Sequence, residues 1–352
     1  MNSYPFITVC IPVRNEERFI GKTIGDLLSQ DYPPDCYEII VADGESTDKT
    51  AEIVKAIGTK YPNLFLFPNP QRRSSAGRNI GFQNGKGDIF LVVDGHCFIP
   101  NGQLFKEIVH CFEKSGAQCL GRLQPLDPPG ISDFQKAVAL ARRSSIGHGG
   151  DSLIYSNQEG WVSPVSHGAV YRREVFEKIG YVDETFDACE DVEFNYRVEK
   201  AGLKTYMSPS IAVRYYPREN LSSLWRQMLR YGKGRFHFLQ KHPETFSFMG
   251  MVPAIFAAGL FLLPLLGLVH PIFGYLWAVA GGLYLLVVAA YSLKVSFTEG
   301  LVYLRYLPMI YLVIHVGLGL GFILKLMQSV SFFQWTKRAL RKAGRLNHGA
   351  RP

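Results

Sequence analysis

At 352 residues the chain has room for one large domain and a further region. Its formal charge of +8 is unevenly placed: nine Lys/Arg residues and one acid, Glu299, lie from Thr245 onward, and the first 244 residues balance. This excludes a basic nucleic-acid-binding domain and puts the excess beside apolar segments, where membrane proteins keep cytoplasmic charge.

Six cysteines, with no CxxC pair, fall in the first two-thirds of the chain. Cys10, Cys97 and Cys119 sit in apparent core strands, so a reduced domain is expected rather than a disulfide framework. No basic segment precedes an apolar stretch at the N-terminus, so no cleavable signal peptide is expected.

Phe6–Val13 reads as the first strand, with Arg14, Asn15 and Glu16 at its C-terminal end. Asn15 is placed to cap a helix over Glu17–Gln30, whose Ile20, Ile24, Leu27 and Leu28 share a face. Tyr37–Ala42 is a second strand, ending in Asp43, and Thr47 or Asp48 starts a helix carrying Ile53, Val54 and Ile57. Leu64–Phe67 is a weaker strand and Ser74–Asn84 a helix. Ile89–Cys97 (IFLVVDGHC) is a short continuous apolar run ending in Asp94, Gly95 and His96, the pattern of a strand buried on both faces. A helix at Gln103–Ser115 and a strand at Ala117–Leu123 follow. The alternation predicts an α/β fold with a mostly parallel, doubly wound sheet, in which ligands bind at the C-terminal strand ends.

Beyond Gln124 the alternation loosens. Helices are expected at Asp133–Arg143, Arg173–Ile179 and Glu190–Lys200. Strands are expected at Ser166–Tyr171, Lys204–Met207 and Ile211–Tyr216. Leu221–Gln240 is amphipathic and basic on one side, which suits a membrane surface. From Thr245 to Leu293 there is no charged residue, and a third uncharged run covers Tyr306–Leu324. A spanning helix needs about 20 apolar residues. The expected division is therefore a domain over 1–220, an interface helix over 221–244, a membrane region over 245–330 and a basic tail over 331–352. The membrane region holds three segments near 249–269, 272–292 and 306–325. Three spans put the tail outside, whereas its Lys and Arg residues favour the cytoplasmic side, so the side of the tail stays open.

Five stretches carry chemistry. Pro12, Arg14 and Glu16, together with Asp43, place polar groups where strands end; helix capping and an Asx turn account for them equally. Arg78, after Ser75-Ala76-Gly77, offers a fork suited to phosphate. Asp94 and His96 offer a divalent ion an oxygen and an imidazole, the latter acceptable to Mn²⁺ and less suited to Mg²⁺. Glu190-Asp191 opens a helix, where an acid pair serves as a cap or, through Asp191, as a general base. Gln227, Arg230 and Tyr231 lie on the amphipathic helix, where they could meet a diphosphate or anchor the interface.

In this order the five stretches resemble the GT-A-fold inverting glycosyltransferases of family 2, over about Ile7–Gln240. The resemblance implies that Pro12, Arg14, Glu16 and Asp43 hold the nucleoside, a uridine, and that Arg78 lies near the diphosphate. It makes Asp94 and His96 the metal and ribose motif, Glu190-Asp191 the acid pair with Asp191 as base, and Gln227 and Arg230 part of a Gln-x-x-Arg-Trp-like pattern with Tyr231 in the last place. Ser166–Arg173 and Val182-Asp183-Glu184 resemble the acceptor side. The usual Asp-x-Asp is Asp-Gly-His here, which leaves the metal, Mg²⁺ or Mn²⁺, open. The membrane-attached C-terminus further resembles exopolysaccharide enzymes that extend polyprenyl-diphosphate-linked saccharides. This implies a multi-pass protein of the cell inner membrane with a cytoplasmic catalytic domain, a UDP-sugar donor and a lipid-linked acceptor. A processive synthase and a non-catalytic sugar-nucleotide-binding scaffold are the competing expectations.

Overall fold

The computed structural model describes residues 4–148, 153–155, 157–166 and 168–347 and divides into two compact units, Met1–Asn220 and Leu221–Pro352. In the first unit the chain runs β1 (Ile7–Val13), α1 (Ile20–Leu28), β2 (Tyr37–Asp43), α2 (Thr50–Gly58), β3 (Leu64–Pro68), α3 (Ser74–Asn84), β4 (Ile89–Val92), β5 (Cys97–Phe98), α4 (Leu104–Ser115) and β6 (Cys119–Arg122). It continues through α5 (Asp133–Arg143), α6 (Ser145–His148), β7 (Gly160–Val162), β8 (Gly168–Arg172), α7 (Arg173–Ile179), α8 (Glu190–Lys200), β9 (Thr205–Ser208) and β10 (Arg214–Tyr215).

Eight strands form one sheet in the order β3-β2-β1-β4-β8-β6-β9-β7. Strands β3, β2, β1 and β4 are parallel, β8 is antiparallel to β4 and β6, β9 is parallel to β6, and β7 is an antiparallel edge. The mostly parallel sheet with flanking helices is as expected.

Strand alternation puts successive side chains on opposite faces. Ile7, Val9 and Ile11 of β1 join Ile24 and Leu27 of α1 and Phe105 and Ile108 of α4 in one core. Cys10 joins Phe82, Phe90, Phe176 and Phe194 in a second core. With cores on both sides, β1 is buried throughout and reads as a continuous apolar run.

Gly77 and Gly81, one turn apart on α3, lie against β1. A Cβ at these positions would come within 2.8 Å of the Pro12 Cβ and 2.5 Å of the Cys10 Sγ. The absence of side chains there lets the helix lie directly on the strand and fixes where its Arg78 stands.

Three details differ from expectation. The first helix begins at Ile20, and Asn15 does not cap it. Asn15 instead adopts a left-handed φ of 56°, and its Oδ1 accepts from the Thr47 N–H at 2.8 Å, tying the β1 end to the loop after β2. The stretch expected as a strand at Ile211–Tyr216 is a short 3₁₀ turn, Pro209–Ile211, followed by the two-residue β10, which pairs with β5. Strands β5 and β7 are two and three residues long, too short to leave a periodic signal. Of the acceptor-side stretch, His167 lies outside the described residues.

The second unit contains α9 (Leu221–Lys241), α10 (Phe248–Gly267), α11 (Pro271–Glu299) and α12 (Leu307–Asn347). The helices α10 and α11 and the Leu307–Val330 part of α12 are long and apolar enough to cross a membrane. The basic stretch expected as a separate tail continues α12 as far as Asn347, and residues 348–352 lie outside the described residues. Helix α9 packs closely on α12. A Cβ at Gly232 would lie 2.1 Å from the Leu318 carbonyl oxygen, and one at Gly321 would lie 2.2 Å from that of Leu229.

Gly232→Val therefore overpacks this contact, at a cost of about 1–3 kcal/mol. Thermal unfolding of the full chain in detergent should show a lower midpoint for Gly232→Val. Gly281→Val, whose Cβ meets nothing within 4 Å, should leave it near wild type. Equal midpoints for the two variants would contradict the contact.

Candidate active site

The chemistry-bearing residues of the first unit gather at the C-terminal ends of β1, β2 and β4 and at the start of α8. Register brings two of the expected stretches together: Pro12 pairs with Ala42 and Val13 with Asp43. Asp43 accepts from the Ser46 hydroxyl at 2.5 Å and from the Ser46 N–H at 3.2 Å, the Asx turn that its position suggested. Pro12 is buried, Asp43 and Glu16 are half-buried, and Arg14 is exposed beside them.

The turn after β4 is held from α1. The Thr23 hydroxyl lies 3.0 Å from the Gly95 carbonyl and 2.8 Å from that of Cys97, and it accepts from the Cys97 N–H at 3.2 Å. His96 Nδ1 lies 2.8 Å from Glu16 Oε1. Burial works against a charged imidazole here. The Glu16 carboxylate, its hydrogen bond and Asp94 outweigh burial and raise the His96 pKa.

At the centre stands Arg78. Its Nη2 lies 3.4 Å from Glu190 Oε1, and both side chains are largely buried. Burial disfavours the guanidinium's charge, but Glu190, Asp191 and Asp94 outweigh it, so its pKa rises. One cation thus has the metal-motif acid and both members of the acid pair as its charged neighbours. Glu190 is pushed up by burial, pulled back by Arg78 and raised further by Asp191. Asp191, half-buried, lies in the first turn of α8, where the helix dipole favours negative charge. Tyr171 closes the floor: its hydroxyl bonds to Asn195 Oδ1 at 2.9 Å, and Asn195 Nδ2 donates to the Gly168 carbonyl at 3.1 Å.

Among the described residues no group of three His, Cys, Asp or Glu side chains is arranged to hold a metal ion. A Mg²⁺-type ion on a nucleotide needs only one or two protein carboxylates, with phosphates and water completing the shell. The half-buried Asp94 fits that requirement. His96 Nδ1 is fixed by a carboxylate, a common support for a ligating imidazole, and its Nε2 would be the atom to meet an ion.

The model of the family described as "Glycosyltransferase like family 2" matches residues 5–234. The chain belongs to glycosyltransferase family 2. The succinoglycan biosynthesis protein ExoA of Rhizobium meliloti (strain 1021) is 32% identical over 247 residues, 70% of this chain and 73% of that protein. The dolichyl N-acetyl-alpha-D-glucosaminyl phosphate 3-beta-D-2,3-diacetamido-2,3-dideoxy-beta-D-glucuronosyltransferase of Methanococcus voltae is 29% identical over 269 residues, 73% of this chain and 83% of that protein. Among solved structures, the mannosyltransferase PcManGT of Pyrobaculum calidifontis, in complex with GDP-Man and Mn²⁺, superposes with a TM-score of 0.58 at 18% identity, over 91% of this chain and 88% of that one. The last shows the fold alone.

This glycosyltransferase, acting on nucleotide sugars, thus brings Pro12, Glu16, Asp43, Arg78, Asp94, His96, Glu190 and Asp191 to one end of one sheet. Gln227 and Arg230 belong to α9 of the second unit, where Gln227 Nε2 donates to the Tyr231 hydroxyl at 3.2 Å. Sequence reasoning missed the Arg78–Glu190 pair and the support from Thr23. Thr23 left a signal, a polar residue inside the apolar face formed by Ile20, Ile24 and Leu27. The Arg78–Glu190 pair joins distant segments and left none.

Removing one partner of a buried ion pair strands the other, at a cost of about 3–5 kcal/mol. Arg78→Met should therefore lower the unfolding midpoint, and adding Glu190→Gln should restore part of it. A double variant no more stable than Arg78→Met would contradict the coupling.

Proposed function

We propose that the chain is a membrane-bound inverting glycosyltransferase. It moves a sugar from a uridine-diphosphate donor to a hydroxyl of a saccharide carried on a polyprenyl-type phosphate lipid. The observation that carries this reading is Arg78, with Asp94 on one functional motif and Glu190-Asp191 on the other as its charged neighbours.

Asp191 accepts the proton of the acceptor hydroxyl. The freed oxygen attacks the anomeric carbon from the face opposite the diphosphate. The bond to the diphosphate breaks, the nucleoside diphosphate leaves with the electron pair, and the configuration inverts. Glu190, buried and paired, orients Arg78 rather than moving the proton. Arg78 directs its charge toward the developing negative charge of the leaving group.

Pro12, Arg14, Glu16 and Asp43 hold the nucleoside at the ends of β1 and β2. Asp94 and His96 would hold Mg²⁺ or Mn²⁺, which when bound neutralises the diphosphate. The family pattern assigns Gln227 and Arg230 to the departing diphosphate.

One relative supports the lipid-linked acceptor: it is named for a dolichyl-phosphate-linked sugar. The other is named for succinoglycan biosynthesis, which supports a role in polysaccharide assembly. The three apolar helices support a multi-pass membrane protein; on this reading it lies in the cell inner membrane with its catalytic unit on the cytoplasmic side.

Asp191→Asn should cut turnover by about 10²–10⁴-fold, the usual share of a general base, with nucleotide binding retained. Turnover equal to wild type would remove Asp191 from the mechanism. A donor screen by mass spectrometry in membranes should show consumption of a UDP-sugar. Consumption of GDP-mannose alone would overturn the uridine assignment and leave the transferase reading intact.

A further inference from the structure

Arg122 ends β6 and is the largest side chain that the fold buries completely, at 1% exposure. A guanidinium in such a place needs its hydrogen bonds and its charge answered inside the protein. Its Nη1 donates to the Val92 carbonyl at 2.9 Å, and its Nη2 donates to the Tyr215 hydroxyl at 2.8 Å. The guanidinium carbon lies 5.7 Å from the centre of the Tyr215 ring. The Nε–H has no partner, and among the described residues Arg122 has no ion pair.

Both hydrogen bonds lead to the Asp94–His96 turn. Val92 is the last residue of β4, two before Asp94. Tyr215 lies opposite Cys97 in the β5–β10 pair, and its ring stands edge-on to His96 with centroids 6.0 Å apart. The next residue, Tyr216, donates its N–H to the His96 carbonyl at 3.3 Å. Arg122 therefore ties the strand that enters the turn to the strand that flanks its exit. A charged donor makes strong hydrogen bonds in a low-dielectric interior, so neither strand can slide without losing one.

We propose that Arg122, acting through Val92 and Tyr215, is the positioning residue that holds Asp94 and His96 in register for the donor's metal-bound diphosphate. This rests on the reading of the Asp94–His96 turn as the diphosphate site. A purely structural Arg122 would affect stability and every ligand alike. A positioning Arg122 affects the diphosphate and spares the nucleoside, which is held at the ends of β1 and β2.

The test is calorimetric titration of the full chain in detergent with Mn²⁺ present. Wild type, Arg122→Met, Arg122→Lys and Tyr215→Phe are titrated with UDP and UMP, and with GDP and GMP. Loss of an outer support of a metal site weakens binding by about tenfold or more. That loss is expected for the diphosphate in Arg122→Met and Tyr215→Phe, with the monophosphate Kd unchanged and a smaller loss in Arg122→Lys. Tyr215→Phe keeps the ring and carries the test if Arg122→Met does not fold. Diphosphate affinity equal to wild type in Tyr215→Phe, or equal losses for mono- and diphosphate, overturns the proposal. If wild type binds neither diphosphate, the donor site itself fails, and the role of Arg122 fails with it.

Discussion

One largely buried guanidinium governs the end of the sheet. Arg78 reaches Glu190 directly, and the charges of Asp191 and Asp94 also act on it. Without it, the carboxylates of the turn after β4 and of the start of α8 would repel one another where burial of Glu190 weakens solvent screening. With it, they gather. Its position follows from two missing side chains: Gly77 and Gly81 let α3 rest on β1. The sequence of cause runs from two glycines, to a helix-on-strand contact, to a cation, to a gathered set of acids.

Backbone strain collects in the same neighbourhood. Among the described residues, the non-glycine residues with positive φ are Asn15, Glu45, Arg72 and Cys189. Asn15 and Glu45 follow the ends of β1 and β2, Arg72 precedes α3, and Cys189 stands immediately before Glu190-Asp191. Such conformations cost of order 1–3 kcal/mol each and persist where surrounding contacts over-determine them. Asn15 shows how: its side chain and its N–H both bond to the loop after β2. The acid pair is likewise aimed by Cys189, whose left-handed turn ends the preceding loop and starts α8 within one residue.

The parallel half of the fold was legible because its strands are buried on both faces and its helices on one. Runs such as IFLVVD and the stripe of Ile20, Ile24 and Leu27 announce those environments directly. The carboxylates at strand and helix ends were legible for the same reason, since polar residues that close apolar runs stand out. What stayed hidden depends on pairs far apart in the chain. Arg78 stood out as a fork suited to phosphate, but nothing near it in sequence could reveal its partner Glu190, more than a hundred residues on. Arg122 looked like the ordinary end of a strand, and its partners Val92 and Tyr215 lie on other strands. Asn15 looked like a helix cap because local spacing allows one, but the loop after β2 competes for the same side chain and wins. In the second unit, length and lack of charge identified the apolar helices, whereas the close α9–α12 contact depends on glycines whose partners no local pattern reveals.

On the proposed mechanism the donor's diphosphate and the proton-accepting carboxylate share the ground around Arg78. The anomalous scattering of Mn²⁺, in crystals of the full chain grown with the nucleoside diphosphate that it binds, locates the ion without assumption. That mechanism predicts a single strong peak at the Asp94 carboxylate, with the nucleotide's terminal phosphate between it and Arg78 and with Asp191 facing the same space. A peak elsewhere, or a nucleotide bound on a surface that neither Arg78 nor Asp191 reaches, would contradict it.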